Sequence, residues 1–139
     1  MASVFSLIIA GEIPGEFVWR DDRCVAFLSI NPLSPGHTLV VPREEVDHWT
    51  DLDPGLMGHV TRVAQTVGQA QRGEFECRRV ALMIVGDEVP HVHLHVIPMR
   101  SLADLDFKNA ASEPGEDFEA NAERLRAALE AAGHAQARS

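Results

Sequence analysis

The chain has 139 residues, 45% of them hydrophobic and 24% charged, with a formal net charge of −9. One ordinary hydrophobic core fits that length and a second does not. The acidic balance excludes a broad nucleic-acid partner, which demands a basic face, but leaves open a small phosphorylated ligand held by local donors.

Residues 3–10 are expected to form a short helix, broken by Gly-Glu-Ile-Pro at 11–14. That apolar start has no basic segment before it and is followed at once by Glu12, which does not suit a secretion signal. Runs of β-favouring residues at 17–19 and 24–30 flank Arg20-Asp21-Asp22-Arg23 and predict a hairpin. A Pro/Gly loop, NPLSPG at 31–36, leads into a strand at 37–41 that stops at Pro42. Asp53-Pro54 starts a helix in which Leu56, Val60, Val63, Ala64 and Val67 recur on one face to about Ala70. RVALMIV at 79–85 is apolar enough for a strand covered on both faces or lying at a subunit interface. After a polar connection, Phe118, Ala122, Leu125 and Leu129 mark a last helix that stops at Gly133, and the tail HAQARS is expected to fray. The order predicts an α+β fold with a mainly antiparallel sheet. Cys24 and Cys77 are too few for a disulfide framework, and no run reaches the roughly 20 apolar residues of a membrane span. A cytoplasmic protein without a membrane partner is the simplest expectation.

Between Pro90 and Pro98, three of the seven histidines stand at alternate positions, His91, His93 and His95, with Val92, Leu94 and Val96 between and after them. In a strand this puts the imidazoles on one face and the aliphatic side chains in the core. A half-buried strand could carry histidine on its polar face by chance, but three in register argue for chemistry. A metal site is one possibility, although rings spread along about 13 Å of strand do not converge on one ion. Phosphoryl or nucleotidyl transfer is the other: one imidazole attacks phosphorus while its neighbours orient it and donate to phosphate oxygens.

The stretch HVHLHVI resembles the motif of the histidine triad (HIT) superfamily. IIAGEIP at 8–14, DDRCVAF at 21–27 and INPLSPGHTLVVP at 30–42 resemble its Hint-like branch in the same order and spacing. The resemblance implies a HIT-like fold, with residues 1–105 as the HIT domain and 106–139 as a C-terminal extension with one helix packed on it. It implies a homodimer that cleaves nucleoside 5′-monophosphate conjugates, of phosphoramidate or dinucleotide type, through a covalent nucleotidyl-histidine. The partner would be a purine nucleotide or nucleoside monophosphate conjugate, and no cofactor is called for. By position His93 is the nucleophile, His95 contacts the α-phosphate, His91 orients, and His37 stands behind the triad. Ile8, Phe27, Leu28 and Ile30, with Phe5 and Ile13, match the base pocket, and Gly86, Asp87 and Glu88 match the phosphate-facing stretch.

Several positions depart from that pattern. Ser29 replaces the aspartate that accepts both ribose hydroxyls, and a hydroxyl accepts fewer bonds than a carboxylate. Asp87 and Glu88 bring carboxylates beside a phosphate, where Glu88 could act as a proton donor or simply be solvated. Ser3, Ser6 and Glu45 stand where metal-binding relatives carry zinc ligands. Of that set only His91 remains, so no structural zinc is expected. Ser29 and the acidic stretch also motivate an alternative: a dimeric purine-nucleotide-binding module with little turnover.

Overall fold

A computed structural model describes residues 2–139. Its five-stranded antiparallel sheet is built from β1 (Phe17–Arg20), β2 (Cys24–Leu28), β3 (Thr38–Pro42), β4 (Arg79–Met83) and β5 (Leu94–Met99), in the spatial order β1-β2-β3-β5-β4. Three α-helices complete it: α1 (Val4–Ile9), α2 (Pro54–Glu74) and α3 (Phe118–Ala131). Ser3 caps α1 by accepting from Ser6 N, and Asp53 caps α2 by accepting from Leu56 N, with Pro54 in the first turn.

Alternation along the strands divides the interior in two. Val18, Ala26, Leu28, Val40, Leu94 and Val96 face α2 and α3 in the larger core, where Val60, Val67, Leu125 and Leu129 meet them. Phe17, Val25, Phe27, Leu39 and Val41 face the other way and are covered by Phe5 and Ile8 of α1. The helix α2 runs past Ala70 to Glu74 because Gln71, wholly buried, carries the apolar stripe one turn further. Its amide nitrogen donates to Gly36 O and Val96 O, both at 2.9 Å, and so ties α2 to the start of β3 and to β5. Gly36 itself is obligatory: its φ is +86°, and a Cβ there would lie 2.5 Å from the Phe75 ring.

Three expectations need correction. The ladder of β5 begins only at Leu94, so His91 and His93 precede the strand, and Pro98 lies inside it. Proline is tolerated there because the pairing with β3 ends at Val96. Of the two arrangements expected for β4, cover on both faces within the chain is not found: the strand is a sheet edge, and Leu82 and the following Val85 are about half exposed. The tail is tied down rather than frayed. Gln136 O accepts from Arg20 N at 2.9 Å, Ala137 packs against the larger core, and the His134 ring lies 5.5 Å from that of Trp19. No helix is long and apolar enough to cross a membrane, a statement that covers the described residues.

Candidate functional site

The segment 91–93 lies just ahead of the ladder, where residues 42–46 hold it. Val92 N donates to Val46 O at 2.8 Å, and His91 Nε2 lies 2.8 Å from Pro42 O. Side-chain alternation therefore continues upstream of β5, with Val92 in the larger core and all three imidazoles on the opposite face. Burial lowers the pKa of every ring in the group: His95 to about 4, His37 to about 3, and His91 and His93 below their ordinary range. For His93 the bond to the His91 carbonyl and the charge of Glu88 oppose that shift. All four rings are neutral at pH 7, so each carries one N–H and one lone pair.

Partners that can only accept, or only donate, then fix every tautomer. A carbonyl only accepts, so His91 donates from Nε2 to Pro42 O, and its Nδ1 accepts from the Ser3 hydroxyl at 2.7 Å. His93 donates from Nδ1 to His91 O at 2.7 Å, which leaves a lone pair on Nε2. A backbone N–H only donates, so His37 Nδ1 accepts from Leu33 N at 3.0 Å and its Nε2–H points to His95 Nδ1, also at 3.0 Å. His95 must then carry its proton on Nε2. The rings of His93 and His95 lie edge-to-face with centroids 4.9 Å apart, one presenting a lone pair and the other an N–H. Among the described residues, the only buried side-chain N or O without a partner is Gln71 Oε1. The unpartnered Nε2 atoms of His93 and His95 therefore reach solvent. His93 is nearly buried, 6% exposed, with the Phe5 ring 4.8 Å away.

The remaining expected residues divide by strand alternation. Phe27 and Ile8 belong to the wall beside the triad, where Phe5 stacks edge-on against Phe27 at 5.6 Å, and Ile13 packs on the same cluster. Leu28 points the other way, into the helix-side core, and is removed from the set. Ser29 turns its hydroxyl to accept from Asn31 N at 3.2 Å, so it closes its own loop, and Ile30 is 59% exposed at the rim. Gly86 takes a left-handed φ of +73°, and Asp87 and Glu88 are exposed beside it, in keeping with solvated carboxylates. Sequence reasoning missed Phe107. The turn Phe107–Asn109 returns from the C-terminal connection and sets this ring edge-on to His95 at 5.1 Å. Asn31 holds the connection in place by donating to Ala111 O and Ser112 O, both at 3.1 Å. An aromatic residue alone in a polar linker was the one signal available.

The zinc ligand set of metal-binding relatives does not fit here. Ser3 and Ser6 offer hydroxyls, which bind zinc poorly, and these hydroxyls are already engaged with His91, Glu45 and backbone. One other group among the described residues has ligand atoms close together, Asp21, Cys24 and His59, all within 4.8 Å. There Asp21 Oδ2 is taken by Trp19 Nε1 at 2.7 Å and His59 Nε2 at 2.8 Å, and burial with the adjacent Asp21 charge holds the Cys24 thiol protonated. This is a hairpin clamp. A half-open cavity of about 800 Å³ lies under the C-terminal connection; of the expected site residues Leu28, Ser29 and His37 line it, with Phe75, Phe118 and Arg124 among others, whereas His91, His93 and His95 do not.

Comparison with known proteins gives the same outline. The family model described as HIT domain matches residues 10–102. An uncharacterized HIT-like protein of Methanocaldococcus jannaschii is 37% identical over 99 residues, covering 68% of this chain and 77% of its own. A Zn-bound histidine triad family protein from Mycobacterium smegmatis superposes with a TM-score of 0.82 at 29% identity, covering 95% of this chain and 96% of the other. A hypothetical histidine triad nucleotide-binding protein from Sulfolobus tokodaii gives 0.80 at 25% identity, with 91% of each chain covered. With the fold, the alternating imidazoles and the matched residues agreeing, the chain belongs to the histidine triad (HIT) family.

Proposed function

We propose that the protein hydrolyses or transfers nucleoside 5′-monophosphate conjugates, of phosphoramidate or dinucleotide type, through a nucleotidyl group carried on His93. The observation that carries this reading is the opposed pair of tautomers: a bare Nε2 on His93 beside an Nε2–H on His95. The His93 lone pair attacks the α-phosphorus. The bond to the leaving group breaks, and the leaving group departs with the electron pair and takes up a proton from solvent, which the attacking water gives back in the second step. Water then displaces His93 and releases the nucleoside monophosphate. His95 donates to a phosphate oxygen as negative charge builds on it, an arrangement that needs no rearrangement of dipoles during the step. His37 acts through His95, and His91 through His93. The wall of Phe5, Ile8 and Phe27 suits a flat apolar base, preferably a purine, and the reading requires no cofactor. Residues 106–139 are read as an extension of a HIT domain at 1–105. The exposed β4 edge, with Leu82 and Val85, is read as the contact of a homodimer in the cytoplasm.

Trapping tests the reaction. Brief incubation with a panel of nucleotidyl conjugates should add one nucleoside monophosphate to the intact-protein mass, and His93→Ala should show neither adduct nor turnover. Full activity in His93→Ala would end the assignment. A second reading, a dimeric purine-nucleotide-binding module with little turnover, is favoured by Ser29, whose hydroxyl is occupied within its own loop. Calorimetric binding of nucleotide without turnover in the same preparation would select it.

A further inference from the structure

We infer that Glu45 and Ser3 are positioning residues for the triad, joined in a metal-free clasp that fixes His91 and, through it, His93. Glu45 Oε1 accepts two bonds at 2.7 Å, one from Ser3 N and one from the Ser6 hydroxyl, and so fastens the start of α1 to the segment after β3. Ser6 N donates to Ser3 Oγ at 3.0 Å, which leaves the Ser3 proton free to be given to His91 Nδ1 at 2.7 Å. The last residue of β3 holds the other side of His91 through Pro42 O, and the segment after it holds the neighbouring Val92 through Val46 O.

His91 is wholly buried and every polar atom of its ring is committed, so its orientation is set by this frame. Its carbonyl is the acceptor that keeps the proton of His93 on Nδ1. The clasp also places Phe5, the second residue of α1, whose ring lies edge-on to both His91 and His93. An exposed carboxylate is thus connected to His93 by three successive hydrogen bonds, Glu45–Ser3, Ser3–His91 and His91–His93. The Ser3 hydroxyl has a second acceptor within reach, Ser6 Oγ at 3.4 Å, but His91 Nδ1 is much nearer at 2.7 Å, and linked hydrogen bonds of this kind reinforce one another.

The inference rests on the enzymatic reading only for its kinetic consequence, and the test separates the two. Two-bond nitrogen–proton spectra of the ¹⁵N-labelled full chain report imidazole tautomers without any substrate. Wild type should show the proton on Nε2 of His91 and on Nδ1 of His93. Ser3→Ala and Glu45→Ala should turn the His93 signals into an average of both tautomers. They should also lower kcat for a nucleoside phosphoramidate about tenfold, with KM changing less than about twofold. Glu45→Gln, whose amide oxygen still accepts both bonds, and Ser3→Thr should restore the wild-type spectra. Should Ser3→Ala not fold, the surface change Glu45→Ala carries the test. A folded Glu45→Ala chain with an unaltered His93 tautomer overturns the clasp, as does a Glu45→Gln chain that behaves like Glu45→Ala. If wild type forms no adduct with any conjugate and the tautomers still respond, the enzymatic reading falls and the clasp stands.

Discussion

The two faces of the sheet solve opposite problems. The helix side is a core of mainly apolar side chains with Gln71 as a polar guest, itself spent on holding Gly36 and Val96 in place. The other side is smaller, aromatic, and interrupted by four imidazoles whose every bond is directional. Hydrocarbon tolerates repacking, whereas a tautomer is decided by one donor or acceptor. Stability should therefore be concentrated on one face and reactivity on the other.

The sharpest way to break that division is His93→Ala, which should cut kcat/KM by roughly a thousandfold or more while the denaturant midpoint stays close to wild type. The converse is Leu125→Ala on the helix side. It should cost ~3 kcal/mol in chemical unfolding and leave kcat of the folded fraction unchanged. Gly36→Ala straddles the two faces: left-handed backbone and the Phe75 ring both oppose a methyl group, and the shift displaces His37 at the next position. A loss of about 2 kcal/mol is expected, with activity falling too.

Acid should sharpen the contrast further. The unfolded chain binds protons on histidine from about pH 6.5 downward, while burial holds His95 at about 4 and His37 at about 3. Between those limits the unfolded state takes up protons that the folded state refuses, so stability must fall as pH falls. The slope is at most about 1.4 kcal/mol per pH unit for each ring, read from urea melts across pH 4–7, and His95→Asn should flatten it. The smallest effect belongs to Phe107→Ala, an exposed ring on a tethered loop. Stability should move by less than ~0.5 kcal/mol, and steady-state assays should show a few-fold change confined to some leaving groups.

Much of this arrangement could be read in the chain itself. Alternation of His91, His93 and His95 with Val92, Leu94 and Val96 points the imidazoles to one face, and the spacing of Leu56, Val60, Val63 and Val67 gives α2 one buried face without saying which side of the sheet it covers. What could not be read depends on partners far apart in sequence. Ser3 meets His91 across 88 positions and Glu45 meets Ser3 across 42, and neither type of residue announces such a role. Ser3, Ser6 and Glu45 were legible as lost zinc ligands, not as a hydrogen-bonded replacement. The start of β5 was misplaced because a backbone bond from Val92 to Val46 imitates strand geometry outside the ladder. Leu28 was put on the wrong side because resemblance gave a stretch, while only strand register gives the direction of one side chain.

The ordered C-terminal tail has a bearing on assembly. Arg126 caps Phe17 O at 2.7 Å and Gln136 O takes Arg20 N, so the outer margin of β1 is sealed by the chain's own end. Among the described residues, the opposite margin, along β4, has no such cover. A sheet with one sealed and one open margin can join a twin about a two-fold axis and then has nothing left to extend, so strand addition would terminate at a closed pair instead of propagating into a fibre.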